Sequence, residues 1–141
     1  ELCMHGDSIM LGYYKDPEAT AEVIDADGWF HTGDLARKDE DGYYFLTGRK
    51  KNLIILDSGE NISPEELEGI VGKCEAVKEC VVKEMGKKIG VVVYCDEDKQ
   101  QQVRDFITEA NRTLPLYKRM SAVEFSTEPL PRNGAGKLLR Q

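Results

Sequence analysis

Ser63-Pro64-Glu65-Glu66-Leu67-Glu68-Gly69-Ile70-Val71-Gly72-Lys73-Cys74 decides the fold of the second half of the chain. Proline suits the first helical position. The Ser before it can cap the amide of Glu66 while the Glu66 carboxylate reaches back to the amide of Ser63, a reciprocal capping box. Leu67, Ile70, Val71 and Cys74 then recur at i, i+3, i+4 and i+7, the stripe of a helix with one apolar face. Upstream, Leu53-Ile54-Ile55-Leu56 has the pattern of a short buried strand, and Asp57-Ser58-Gly59-Glu60-Asn61 turns the chain back into a small hairpin. Downstream, residues 77–84 and 89–95 predict two strands around Gly86-Lys87-Lys88. Residues 98–113 predict a second helix with Val103, Phe106, Ile107 and Ala110 on one face, and residues 122–126 a last strand. The order is a small βαββαβ-like unit of α+β class, its two helices covering one face of a small sheet.

Residues 1–48 read mainly as β structure. Asp16 as N-cap and Pro17 at the first helical position start one short helix, which ends near Asp25-Ala26-Asp27-Gly28. Residues 29–38 and 43–48 predict two strands joined by the turn Asp39-Glu40-Asp41-Gly42. The chain opens on Glu1 inside a strand pattern with no initiator Met, and reads as an excised fragment.

Composition narrows the function classes. A chain of 141 residues that is 40% hydrophobic and 32% charged is globular rather than disordered. Its net charge of −7 argues against non-specific binding to nucleic acid or an anionic membrane, while leaving room for a basic loop that holds one phosphate. The apolar run at residues 89–95 is far too short to span a bilayer. Cys3, Cys74, Cys80 and Cys95 form no CxxC pair, and His5 and His31 are too few and too scattered for a zinc site. They read as four free thiols in a reducing compartment, so the expected location is cytoplasmic and no residue is assigned to a metal.

Three stretches could carry chemistry. In Thr32-Gly33-Asp34, glycine permits close backbone approach, and the acidic group beside it could accept hydrogen bonds from a ribose diol. In Gly48-Arg49-Lys50-Lys51-Asn52, Arg49 could fork onto phosphate or ribose oxygens. Gly134-Ala135-Gly136-Lys137 is not a phosphate loop: Pro131 stands where the first glycine belongs, and Leu138 stands where Ser or Thr must follow. What remains is a Lys on a flexible turn. Alone, each stretch reads equally as a surface Asp at a bend, solvated basic residues between strands, and a loose tail.

Together they resemble the C-terminal end of the adenylate-forming (AMP-binding) enzymes: acyl-CoA synthetases, adenylation domains and luciferases. The resemblance runs through the whole chain in five ordered pieces. These are Gly12-Tyr13-Tyr14-Lys15 with Ala19-Thr20, residues 28–34, residues 48–52, residues 58–68, and Pro131-Arg132-Asn133-Gly134-Ala135-Gly136-Lys137. It implies an α+β fold. A small C-terminal lid domain (residues 51–141, a sheet with two covering helices) is preceded by a β-rich remnant of a large N-terminal domain (residues 1–50). It also implies ATP, Mg²⁺ and coenzyme A as the parent enzyme's ligands, bound mostly outside this fragment. Asp34 would hold the ribose hydroxyls, with Arg49 assisting. Lys51 would be the hinge, although the family often has Asp there. Gly59 would line the pantetheine tunnel, and Lys137 would be the mobile catalytic lysine of adenylation.

The expected function is therefore part of a long-chain fatty-acid–CoA ligase, AMP-forming, whose partners are a fatty acid and the missing N-terminal domain. No nucleic acid and no transmembrane segment are expected, and the isolated fragment should be inactive. The alternatives are an adenylation domain that loads a carrier protein, and a non-catalytic lid or regulatory module.

Overall fold

The computed structural model describes residues 1–140, which divide into two compact units, the first from Glu1 to Asn52 and the second from Leu53 onward. The first unit contains β1 (Cys3–Met4), α1 (Pro17–Val23), β2 (Phe30–His31), β3 (Asp34–Lys38), β4 (Tyr44–Arg49) and a 3₁₀ turn at Lys50–Asn52. The Asp16 carboxylate accepts the Ala19 N–H at 2.9 Å, capping α1 as the sequence indicates. β1 and β2 pair antiparallel, as do β3 and β4.

The strand predicted over residues 29–38 is interrupted between β2 and β3 at Thr32 and Gly33. Gly33 takes φ +72°, a left-handed conformation that side chains resist, and no atom lies within 4 Å of where its Cβ would be. Thr32 Oγ1 fixes the break by donating to the Leu2 carbonyl at 2.7 Å and accepting the Asp34 N–H at 3.1 Å. The interruption lets the chain leave one two-stranded ladder and enter another with Asp34 as its first residue.

The second unit runs β5 (Ile54–Ile55), β6 (Asn61–Ile62), α2 (Pro64–Val71), β7 (Glu79–Met85), β8 (Lys88–Tyr94), α3 (Gln100–Thr113) and β9 (Met120–Ser126). Its main sheet has the order β7-β8-β9, with β7 antiparallel and β9 parallel to β8. Gly86 and Lys87, both at positive φ, make the two-residue turn between β7 and β8 that matches strand twist. The alternation of strand side chains sorts the sheet's two faces. Val82, Val91 and Val93 join Leu67 and Val71 of α2 and Val103 and Ile107 of α3 in one buried core, so both helices cover the same face. Val81 and Val92 point the other way and line a groove with Leu130, Pro131 and Leu139. Asn111 pins the start of β9, since its side-chain amide exchanges two hydrogen bonds with the backbone of Met120, at 2.8 and 2.9 Å.

The capping box at α2 does not form. Ser63 Oγ donates to Glu65 at 2.9 Å, and the Glu66 carboxylate turns to the Lys118 ammonium, which reaches both of its oxygens at 2.9 and 2.8 Å. An ion pair to a residue 52 positions away displaces the local cap.

Candidate functional site

Asp34 and Arg49, named from separate motifs, face one another across the first rung of the β3–β4 ladder. Arg49 Nε lies 2.8 Å from Asp34 Oδ1, with the side chains 46% and 26% exposed. Cross-strand register fixes this pair. Only one oxygen of Asp34 and one nitrogen of Arg49 are used, so among the described residues the second carboxylate oxygen and the terminal amino groups have no partner. A partly exposed carboxylate with one oxygen held and one open can accept hydrogen bonds from the adjacent hydroxyls of a ribose, and the remaining guanidinium fork can meet an anion.

Lys51 lies in the 3₁₀ turn Lys50–Asn52, exposed, at the end of the first unit. Gly59 occupies the tight turn between β5 and β6, donating its N–H to the Leu56 carbonyl at 2.8 Å. Its φ of +93° and the open space at its Cβ position show a loop that presents bare backbone. Asp34, Arg49 and Lys51 therefore belong to the first unit, and Gly59 and Lys137 to the second.

Lys137 is not on a loose tail. Asn133 and Lys137 close a turn through the Asn133 N–H and the Lys137 carbonyl at 2.9 Å. The Asn133 side-chain oxygen accepts the amides of Ala135 and Lys137, each at 3.0 Å. Arg132 pairs with Leu138 in a short antiparallel bridge. The Lys137 side chain is exposed and engages no acceptor among the described residues.

A network that the sequence did not reveal surrounds His31. One ring nitrogen lies 3.1 Å from Asp25 and the other 3.3 Å from Glu1, which also takes the Lys50 ammonium at 3.1 Å. The Asp25 and Glu1 carboxylates raise the pKa of His31. The Trp29 amide and His31 hold Asp25 low, and Lys50 followed by His31 holds Glu1 low. Glu1, Cys3 and His31 are also the one group of metal-ligating side chains among the described residues, their ligand atoms within 4.8 Å of one another. Mg²⁺ takes oxygen ligands in near-octahedral geometry. A set containing a thiol, with an ammonium on its carboxylate, does not fit that ion. All four cysteines are free thiols, and burial pushes Cys80 up to about 11, away from reactivity. Among the described residues no helix is long and apolar enough to cross a membrane.

A family model described as the AMP-binding enzyme C-terminal domain matches residues 51–141. The long-chain-fatty-acid–CoA ligase of Salmonella typhimurium is 41% identical over all of this chain, which covers 25% of that protein. A probable 4-coumarate–CoA ligase of Dictyostelium discoideum is 36% identical over the whole chain and 26% of its own length. Among solved structures, the adenylation domain of a carboxylic acid reductase from Segniliparus rugosus, in complex with AMP and a co-purified carboxylic acid, superposes with a TM-score of 0.81. It is 27% identical over 98% of this chain and 25% of that one. The chain thus spans about a quarter of the length of the relatives it matches.

Proposed function

The chain belongs to the family of AMP-binding enzymes through their C-terminal domain, and on that premise we propose that it is the C-terminal segment of an ATP-dependent fatty-acid–CoA ligase. The parent enzyme joins a carboxylate to the α-phosphate of ATP, releasing pyrophosphate, then transfers the acyl group from the adenylate to the thiol of coenzyme A, releasing AMP. In this reading residues 1–50 complete the large nucleotide-binding domain, and residues 51–141 form the mobile small domain.

The observation that carries the reading is the Asp34–Arg49 pair, whose open oxygen and open guanidinium suit a ribose diol. Asp34 accepts hydrogen bonds from the ribose hydroxyls while Arg49, 2.8 Å from its Oδ1, holds the carboxylate in place. Lys137 meets the charge that develops when a carboxylate attacks the α-phosphate, where two anions must approach. Its transfer in and out of the site is the movement for which Lys51 serves as hinge. Gly59 offers bare backbone to the narrow pantetheine arm. The described residues supply no oxygen cluster suited to Mg²⁺, so no step through that ion is assigned to this chain.

The names of the ligases at 41 and 37% identity support a long-chain fatty acid. The 4-coumarate–CoA ligase name supports a second reading, an aromatic acid. Supplying the intact enzyme with ATP, coenzyme A and either hexadecanoate or 4-coumarate separates the two. The proposal expects thioester and AMP with hexadecanoate, and no turnover by residues 1–141 alone. Turnover of 4-coumarate only would transfer the assignment to the second reading, and turnover by the isolated chain would refute its role as a segment of a larger site.

A further inference from the structure

The segment that bears Lys137 is fastened at both ends by ion pairs to the sheet and to α2. On the N-terminal side, Glu79 of β7 spends both carboxylate oxygens on it: Oε2 accepts the Leu130 N–H at 2.7 Å and Oε1 accepts Arg132 Nη2 at 2.6 Å. Arg132 Nη1 continues into the turn and donates to the Gly136 carbonyl, the residue before Lys137, at 2.6 Å. One guanidinium therefore ties the sheet directly to the lysine's neighbour. On the C-terminal side, Arg140 forks onto Glu68 of α2 at 2.8 and 2.9 Å and also reaches Glu65 at 3.0 Å. Glu68 is itself anchored, accepting the Val82 N–H of β7 at 2.8 Å. Between the two fasteners Leu139 donates its N–H to the Pro131 carbonyl at 2.8 Å, and both residues lie in the apolar groove beside Val81 and Val92.

The span left outside these fasteners is residues 133–137, with the Lys137 ammonium at its exposed end. A long side chain gains most catalytic precision when its backbone is fixed beforehand, because less freedom remains to be lost in the transition state. Burial of Glu68 raises its pKa against the opposing pull of the Val82 amide and Arg140. That marks it as a desolvated partner for which an arginine fork is suited. A purely structural purpose, covering Val81 and Val92 on the second face of the sheet, would need only the apolar contacts of Leu130, Pro131 and Leu139. It would not need a bond into the turn at Gly136.

We propose that Glu79 and Glu68, acting through Arg132 and Arg140, are positioning residues that hold Lys137 for adenylation. This rests on the adenylation role assigned to Lys137. The test has two arms. In the first, backbone ¹⁵N relaxation is measured on the 141-residue chain and on the same chain with Arg132→Ala and Arg140→Ala. Residues 133–137 should be as rigid as β8 in the parent and mobile in the variant, with β7–β9 unchanged. Equal mobility of the turn in both overturns the clamp.

In the second arm the same changes, and separately Glu79→Gln, are made in the intact enzyme, and the two half-reactions are followed apart. Glu79→Gln keeps an acceptor for the Leu130 amide and so preserves the fold. Pyrophosphate release should slow by about 10- to 100-fold in each variant with little change in KM for ATP, while thioester formation from pre-made acyl-adenylate is retained. Glu79→Gln combined with Arg132→Ala should be no worse than Arg132→Ala alone, since Arg132→Ala already removes the contact that Glu79→Gln weakens. Equal losses in both half-reactions, or unchanged pyrophosphate release where Lys137→Ala slows it, overturn the positioning role alone. Unchanged pyrophosphate release with Lys137→Ala overturns the assignment of Lys137 itself, and the positioning role with it.

Discussion

Asp34→Asn in the intact enzyme is the sharpest probe of the nucleotide assignment. The substitution keeps the size of the side chain and one acceptor oxygen, and removes the charge. A hydrogen bond to a charged group contributes about 1.5–3 kcal/mol and a neutral one about 0.5–1.5 kcal/mol, so each ribose hydroxyl loses about 1–1.5 kcal/mol. Two hydroxyls give an upper bound of about 3 kcal/mol. The Asp34 side chain is 26% exposed, so solvent screens part of this. Retaining about half leaves near 1.5 kcal/mol, or roughly tenfold in the dissociation constant. The partner lost on the protein side adds little, because the Arg49 side chain is 46% exposed and stays solvated. Calorimetric titration of AMP into the parent and variant enzymes reads the change, with thermal melting as the control for folding. Affinity for AMP within about twofold of the parent, with the fold intact, would refute the reasoning and return Asp34 to a surface ion pair.

Two further outcomes follow from the two units separately. His31 has its pKa raised above the ordinary 6.5 by Asp25 and Glu1. The stability that its pairs contribute is thus complete below that value and lost as pH rises through the higher folded pKa. A ¹H–¹³C titration of His31 should have its midpoint above 6.5, and His31→Gln should flatten the pH dependence of amide exchange in β2. A midpoint at or below 6.5 would contradict the network. Leu67 is 0% exposed at the centre of the second unit's core, so Leu67→Ala should cost about 2–5 kcal/mol in urea unfolding. A loss under about 1 kcal/mol would mean that α2 does not anchor that core.

The features legible in the sequence are those whose causes are local. Asp16 and Pro17 start α1 as read. Of the stripe Val103, Phe106, Ile107 and Ala110, Val103 and Ile107 are buried, and Phe106 packs half-buried against the same core. The Gly86-Lys87 hairpin closes where turn chemistry puts it. Asp34 and Arg49 were each legible as a candidate, but their pairing was not, because it depends on the register of two strands joined through a turn. Where a distant partner intervened, the local reading failed. Glu66 leaves the cap of α2 for Lys118. The segment around Lys137 looks loose in sequence because Glu79 and Glu68, which fasten Arg132 and Arg140, stand 53 and 72 residues from them. The strand expected at residues 29–38 breaks because Thr32 and Gly33 bond back to the first residues of the chain, an interaction with no local signature.

In the proposed function Lys137 serves adenylation and not thioester formation. Lys137→Ala in the intact enzyme, assayed separately for pyrophosphate release from ATP and fatty acid and for thioester release from pre-made acyl-adenylate and coenzyme A, tests it directly. Loss of one electrostatic stabiliser of a developing charge typically costs roughly 10²–10³ in rate. Pyrophosphate release should fall by that factor, with thioester release within about twofold of the parent enzyme. Equal falls in both half-reactions, or no fall in the first, would contradict that role.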